Sequence, residues 1–172
     1  KVFGEITPAY SLLPAAGYKE ILSLHSDVKF IFIMRDPIGR AWSHINDEYS
    51  RKGIDVGDDE KLIRIFDQRD NNQYFRKSNY KQAIESIESV VNKEDILYLF
   101  YEELFLEITT DRICDFLGVE KIDADFSKQV NKGSYNVIDI YAPAIEGNIF
   151  APIYDFCHDK FPGSIPAAWH GS

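Results

Sequence analysis

Phe30-Ile31-Phe32-Ile33-Met34-Arg35-Asp36-Pro37-Ile38-Gly39-Arg40-Ala41-Trp42-Ser43-His44 joins an apolar run to a helix start. Val28 to Met34 is a near-continuous apolar stretch of strand length. Such a run predicts a central parallel strand buried on both faces. Asp36 is a good N-cap, and Pro37 suits the first helical position, where no hydrogen bond is needed from its nitrogen. The helix is expected to run to about Lys52 and to stop at Gly53. A strand-to-helix junction of this kind offers unpaired N–H groups and the positive end of the helix dipole. Arg35 adds a planar fork of donors suited to phosphate. Ser43 lies about two turns into the helix, and Arg40 comes one turn earlier near the same side. These residues together read as an anion site. The alternative is that Arg35 pairs with Asp36 or another sheet-edge carboxylate and that Ser43 merely packs.

Working outward, Val2 to Glu5 reads as a short strand, followed by an irregular stretch around Pro8 and Pro14. Ala15 to Leu24 has a helical pattern. Asp58 to Asp67 reads as a helix with Leu62, Ile63 and Phe66 on one side. Asn79 to Val91 reads as another, with Ala83, Ile84, Ile87 and Val91 inward. Asp95 to Tyr101 is a second buried strand, and Glu102 to Leu117 a helix ended by Gly118. Beyond it, Asn131-Lys132-Gly133-Ser134 is a turn. Val137 to Lys160 is helical but broken by Pro143 and Pro152, and the tail after Phe161 is loop. Strands alternating with helices predict a single α/β domain over 1–172, three layers around a central parallel sheet. Ligands in such sheets bind at the carboxyl ends of the strands, which puts Glu5, Arg35 and Tyr101-Glu102 on one edge.

Composition narrows the classes. The chain has 172 residues, 45% hydrophobic and 14% aromatic, enough for a packed core. Its formal charge of -9 repels nucleic acid and anionic membranes and disfavours a bulk polyanionic substrate. No apolar run is long enough for a membrane helix. Cys114 and Cys157 have no metal-ligand spacing, and a disulfide between them stays open. The acidic run Asp55 to Glu60 reads as a solvated helix cap and not a metal site. Trp42 reads as core, and His44 as a packed or hydrogen-bonded histidine.

Several segments carry a family resemblance. A strand ending in Arg35-Asp36-Pro37, followed by Arg40 and Ser43-His44, resembles the 3′-phosphate-binding motif of sulfotransferases that use PAPS, 3′-phosphoadenosine 5′-phosphosulfate. Gly4-Glu5-Ile6-Thr7-Pro8-Ala9-Tyr10 resembles a segment of bacterial and Golgi-type members. Ser78-Asn79-Tyr80-Lys81-Gln82 resembles the helix start found next. Ile96 to Leu104, Phe116-Leu117-Gly118-Val119 and Asn131-Lys132-Gly133 resemble later elements, in family order. The resemblance implies a P-loop NTPase-like fold and assigns the 3′-phosphate to Arg35 and Ser43. It makes Glu5 the general base toward the acceptor hydroxyl, where the residues alone also allow a carboxylate paired to Arg35 or Lys29. Lys132 and Gly133 would clamp the 3′-phosphate or form an exposed turn. Ser78 and Tyr80 would line the cleft, or Tyr80 would be core. The family's Gly-rich 5′-phosphosulfate loop has no counterpart here, so the expectation is a domain lacking its first strand and that loop. The implied reaction moves sulfuryl to a hydroxyl or amine of a carbohydrate, lipid or small-molecule acceptor, in the bacterial cytoplasm. The alternatives are a P-loop-type nucleotide kinase relative and a non-catalytic nucleotide-binding module.

Overall fold

The computed structural model describes residues 3–25, 27–67, 72–127 and 149–169. In chain order these form α1 (Ala15–Leu24), β1 (Phe30–Met34), α2 (Pro37–Lys52), α3 (Asp58–Ile65), α4 (Gln73–Ser78) and α5 (Tyr80–Glu88). β2 (Ile96–Phe100), α6 (Glu107–Leu117) and α7 (Ala151–Lys160) follow. The chain divides into two compact units, one drawn from Lys1–Met34 and Gln82–Asn131, the other from Arg35–Lys81 and Lys132–Ser172.

The first unit holds the sheet. β1 and β2 pair in parallel, from Phe30 opposite Ile96 to Met34 opposite Phe100. Tyr18 from α1, Ile87 and Val91 from the α5 end, and Ile96 form its buried cluster. Phe30 meets the Tyr18 ring edge-on, and Phe32 meets Tyr98 the same way. The expectation of a strand buried on both faces does not hold for β1. Only Met34 is buried, and Ile33, on the opposite side of the pleat, is 46% exposed. Alternation of side chains explains the split: one face has aromatic partners and the other is not covered. The structure is therefore α/β with a small parallel sheet.

Other expectations shift as well. Residues 3–5 form no strand; Pro8, which has no N–H, opens a 3₁₀ turn at Pro8–Leu12. In α3 the buried residue is Ile65, while Ile63 is 72% exposed. Leu62, Ile65 and Phe66 share the i, i+3, i+4 stripe, and Ile63 lies a helical step away from it. A 3₁₀ turn at Tyr101–Glu103 precedes α6, which starts only at Glu107.

The second unit is built on α2. Ile38, Ala41, Trp42, Ile45 and Tyr49 form its buried stripe, and α3 and α4 pack against the helix. Gly53 ends it at φ 65°, a left-handed C-cap that glycine adopts without penalty. Phe150, Ile153, Tyr154 and Cys157 around α7 are all buried. So is Trp169, whose ring lies 6.2 Å from those of both Tyr80 and Tyr154. The tail is loop, as expected, yet it ends in the core. Both cysteines are free, buried thiols, and burial pushes Cys157 up to about 12.

Candidate functional site

The junction of Arg35 and α2 is locked from three sides. Asp36 caps the helix: its Oδ1 accepts the Gly39 N–H at 2.7 Å, as its N-cap position predicts. Its Oδ2 accepts the Tyr154 hydroxyl at 2.8 Å, so α7 also holds this carboxylate. Both bonds are buried, where charge-assisted hydrogen bonds are strong. The third lock is Tyr80. Its hydroxyl donates to the Arg35 carbonyl at 2.8 Å and accepts the Arg35 N–H at 3.1 Å. One phenol thus fixes both backbone polar groups of the residue that carries the guanidinium. Burial pushes the Tyr80 phenol well up, so it stays protonated and can donate.

Arg40, Ser43 and His44 follow within two turns, on the side of α2 away from its buried stripe. Ser43 is half-buried. Arg40 is covered enough that burial lowers its pKa, and its Nη1 is buried without a hydrogen-bond partner. Across from them, α4 brings Lys77 and Ser78. Ser78 is 0% exposed, and its Oγ also has no hydrogen-bond partner. The Lys77 Nζ lies 3.3 Å from the His44 Nε2. The His44 ring sits edge-on to Tyr74. Burial, then Lys77, then Arg40 push the His44 pKa down to about 4, outweighing Glu48 and Asp47. His44 is therefore a neutral, packed imidazole, as the sequence predicts. Lys77 is lowered by burial first and then by Arg40.

The nearby carboxylates are engaged. Glu48 accepts from Lys52, Gln73 and the Tyr74 hydroxyl, and Asp47 pairs with Arg51. A cleft of about 330 Å³ lined by Glu48, Tyr49, Arg64, Asn72 and Tyr74 opens beside these pairs. Its charges are satisfied internally, Arg64 by Glu60, and its buried amide by backbone carbonyls.

Glu5 stands in the first unit. It is exposed, and its Oε1 accepts the Thr7 hydroxyl at 2.6 Å. Its proximity raises the pKa of Tyr10. The structure thus brings Arg35, Ser43, Ser78 and Tyr80 into the same unit. Lys132 and Gly133 lie outside the described residues. Sequence reasoning missed Lys77, Tyr154 and Trp169. Lys77 sits beside the quoted Ser78 segment, and nothing in its own pattern marked it. Tyr154 and Trp169 lie more than 100 residues from Arg35, with no local signal linking them to it.

Among the described residues no helix is long and apolar enough to cross a membrane, and no group of three potential metal ligands occurs. No curated protein matches the chain. A family match spans residues 13–146, from just before α1 through the junction of Arg35 with α2 and on past β2 and α6. Over that majority of its length the chain belongs to the sulfotransferase domain family.

Proposed function

We propose that this domain uses PAPS as donor and transfers its sulfuryl group to a hydroxyl or amine of a carbohydrate, lipid or small-molecule acceptor. The observation that carries the reading is the clamping of Arg35 by the Tyr80 hydroxyl at the start of α2. A guanidinium whose backbone is fixed at a helix N-terminus is pre-organised for a phosphate group. The residues around it fit such a ligand. Arg40 and Ser78 keep buried donors without partners, and the nearest carboxylates on α2 are already engaged.

When bound, PAPS supplies an activated sulfuryl group on a phosphate leaving group. Arg35 and Ser43 receive its 3′-phosphate, with Ser78 beside them and Tyr80 holding Arg35 in place. Lys132 and Gly133 belong to the same clamp in this reading. Glu5 takes the acceptor proton, and the Thr7 hydroxyl orients its carboxylate meanwhile. The rest of the rate comes from positioning, as in phosphoryl transfer. The same reading implies a three-layer, P-loop-like sheet, one partial domain over 1–172 and a bacterial cytoplasmic setting. The net charge of -9 supports an acceptor that is neither a nucleic acid nor a dense polyanion.

Calorimetry with PAP, the desulfated product nucleotide, tests the site. Arg35→Ala should lower affinity by about 10- to 100-fold, the worth of one hydrogen bond to a charged group. Ser43→Ala should cost several-fold. Unchanged PAP affinity in both variants overturns the assignment.

A further inference from the structure

The side of α2 that faces α4 is oversupplied with donors. Lys77 bears an ammonium, which can only donate, so the His44 Nε2 it approaches at 3.3 Å is the acceptor nitrogen. The imidazole proton then sits on Nδ1, and that nitrogen is buried with no partner. Arg40 Nη1 and Ser78 Oγ are in the same position, and Arg40 forms no ion pair among the described residues. A buried polar group without a partner is costly, and three in one neighbourhood call for an explanation. Arg40 and His44 are one turn apart on α2, and Lys77 and Ser78 are adjacent on α4. Arg40 and Lys77 each bear electrostatically on His44. The carboxylates that face His44, Asp47 and Glu48, are bonded to Arg51 and Lys52. Tyr74, packed on the ring from α4, gives its proton to Glu48.

We propose that Arg40, Lys77 and Ser78 form a pocket for a tetrahedral oxyanion, a phosphate or sulfate monoester, with His44 as the neutral post that seats the Lys77 ammonium. Two cations and a hydroxyl from two helices match a dianion with three acceptor oxygens better than they match a single carboxylate. A neutral or cationic ligand would leave the donors unmet. The inference rests on the function proposed above only for the source of the anion. That source is either the 3′-phosphate of the donor nucleotide or an acidic ester on the acceptor.

The test uses the full chain in calorimetry with inorganic phosphate, PAP and adenosine 5′-phosphate, which lacks the 3′-phosphate. Arg40→Gln and Lys77→Gln should each weaken inorganic phosphate about tenfold or more, and Ser78→Ala several-fold. Ser78→Ala should melt no lower than wild type, since its oxygen bonds nothing. A loss for PAP but not for adenosine 5′-phosphate identifies the donor's 3′-phosphate. A loss for inorganic phosphate with PAP unchanged identifies the acceptor. Unchanged phosphate and PAP binding in all three variants overturns the pocket. Arg35→Ala read in parallel separates the two assignments: loss there alone leaves the donor site standing without this pocket, and loss in the Arg40 and Lys77 variants alone does the reverse.

Discussion

The Arg35 segment and the Glu5 segment are held by opposite means. Around Arg35, buried partners from two other helices, α5 and α7, converge on a few backbone atoms and one carboxylate. Around Glu5, an exposed carboxylate has a single hydroxyl partner two residues away. The first can bind a fixed anion because its geometry precedes the ligand. The second can follow a moving proton because little restrains it. Binding and proton transfer ask for these different degrees of rigidity.

The comparison breaks first at Asp36. Its two buried hydrogen bonds involve a charged group, and Asp36→Ala should cost about 3 kcal/mol or more in urea unfolding. A loss under about 1 kcal/mol would mean that this junction is no more fixed than an exposed loop. Tyr80→Phe comes next. It removes both bonds to the Arg35 backbone while keeping the ring, and should cost about 1–2 kcal/mol of stability. PAP affinity should fall with it, and unchanged affinity would show that Arg35 needs no clamp.

His44 sharpens the same contrast through pH. Its folded value near 4 lies below the ordinary imidazole value of about 6.5. Between those values the unfolded chain binds a proton that the folded chain refuses, so stability drops as pH falls through that window. Above it both states are neutral and the effect vanishes. His44→Gln should flatten the slope of stability against pH between about 6.5 and 4. Parallel slopes in the two proteins would show that the imidazole is not held neutral. Glu5→Gln should move stability least, within about 0.5 kcal/mol, as befits an exposed side chain. Sulfuryl transfer should nevertheless fall by roughly 100-fold or more. Undiminished turnover would remove Glu5 from the chemistry.

Local signals made much of this legible. Asp36-Pro37, Gly53 and Gly118 mark helix ends because capping is settled within a few residues, and all three act as expected. Ala83, Ile84, Ile87 and Val91 are buried as their spacing predicts. The misses are nonlocal. The apolar run in β1 could not show that Ile33 lacks a covering layer, because hydrophobicity does not report which faces find partners. The six residues of α4 are too few for a periodic signal, so Lys77 went unseen there. Trp169 follows Pro166 in a tail without periodicity, and only its distant aromatic partners explain its burial. At the site, Arg35 and Ser43 were readable as types in a pattern. The clamp on Arg35 was not, because a tyrosine at position 80 carries no sign of where its hydroxyl will go.

The bond between Tyr154 and Asp36 joins residues 118 apart in sequence. During synthesis the helix start emerges long before its partner does. Asp36 can cap Gly39 as soon as α2 forms, but its second oxygen stays in water until α7 leaves the ribosome, and Trp169 follows later still. The anion-facing end of α2 is thus a late product of folding, completed only after translation has nearly ended.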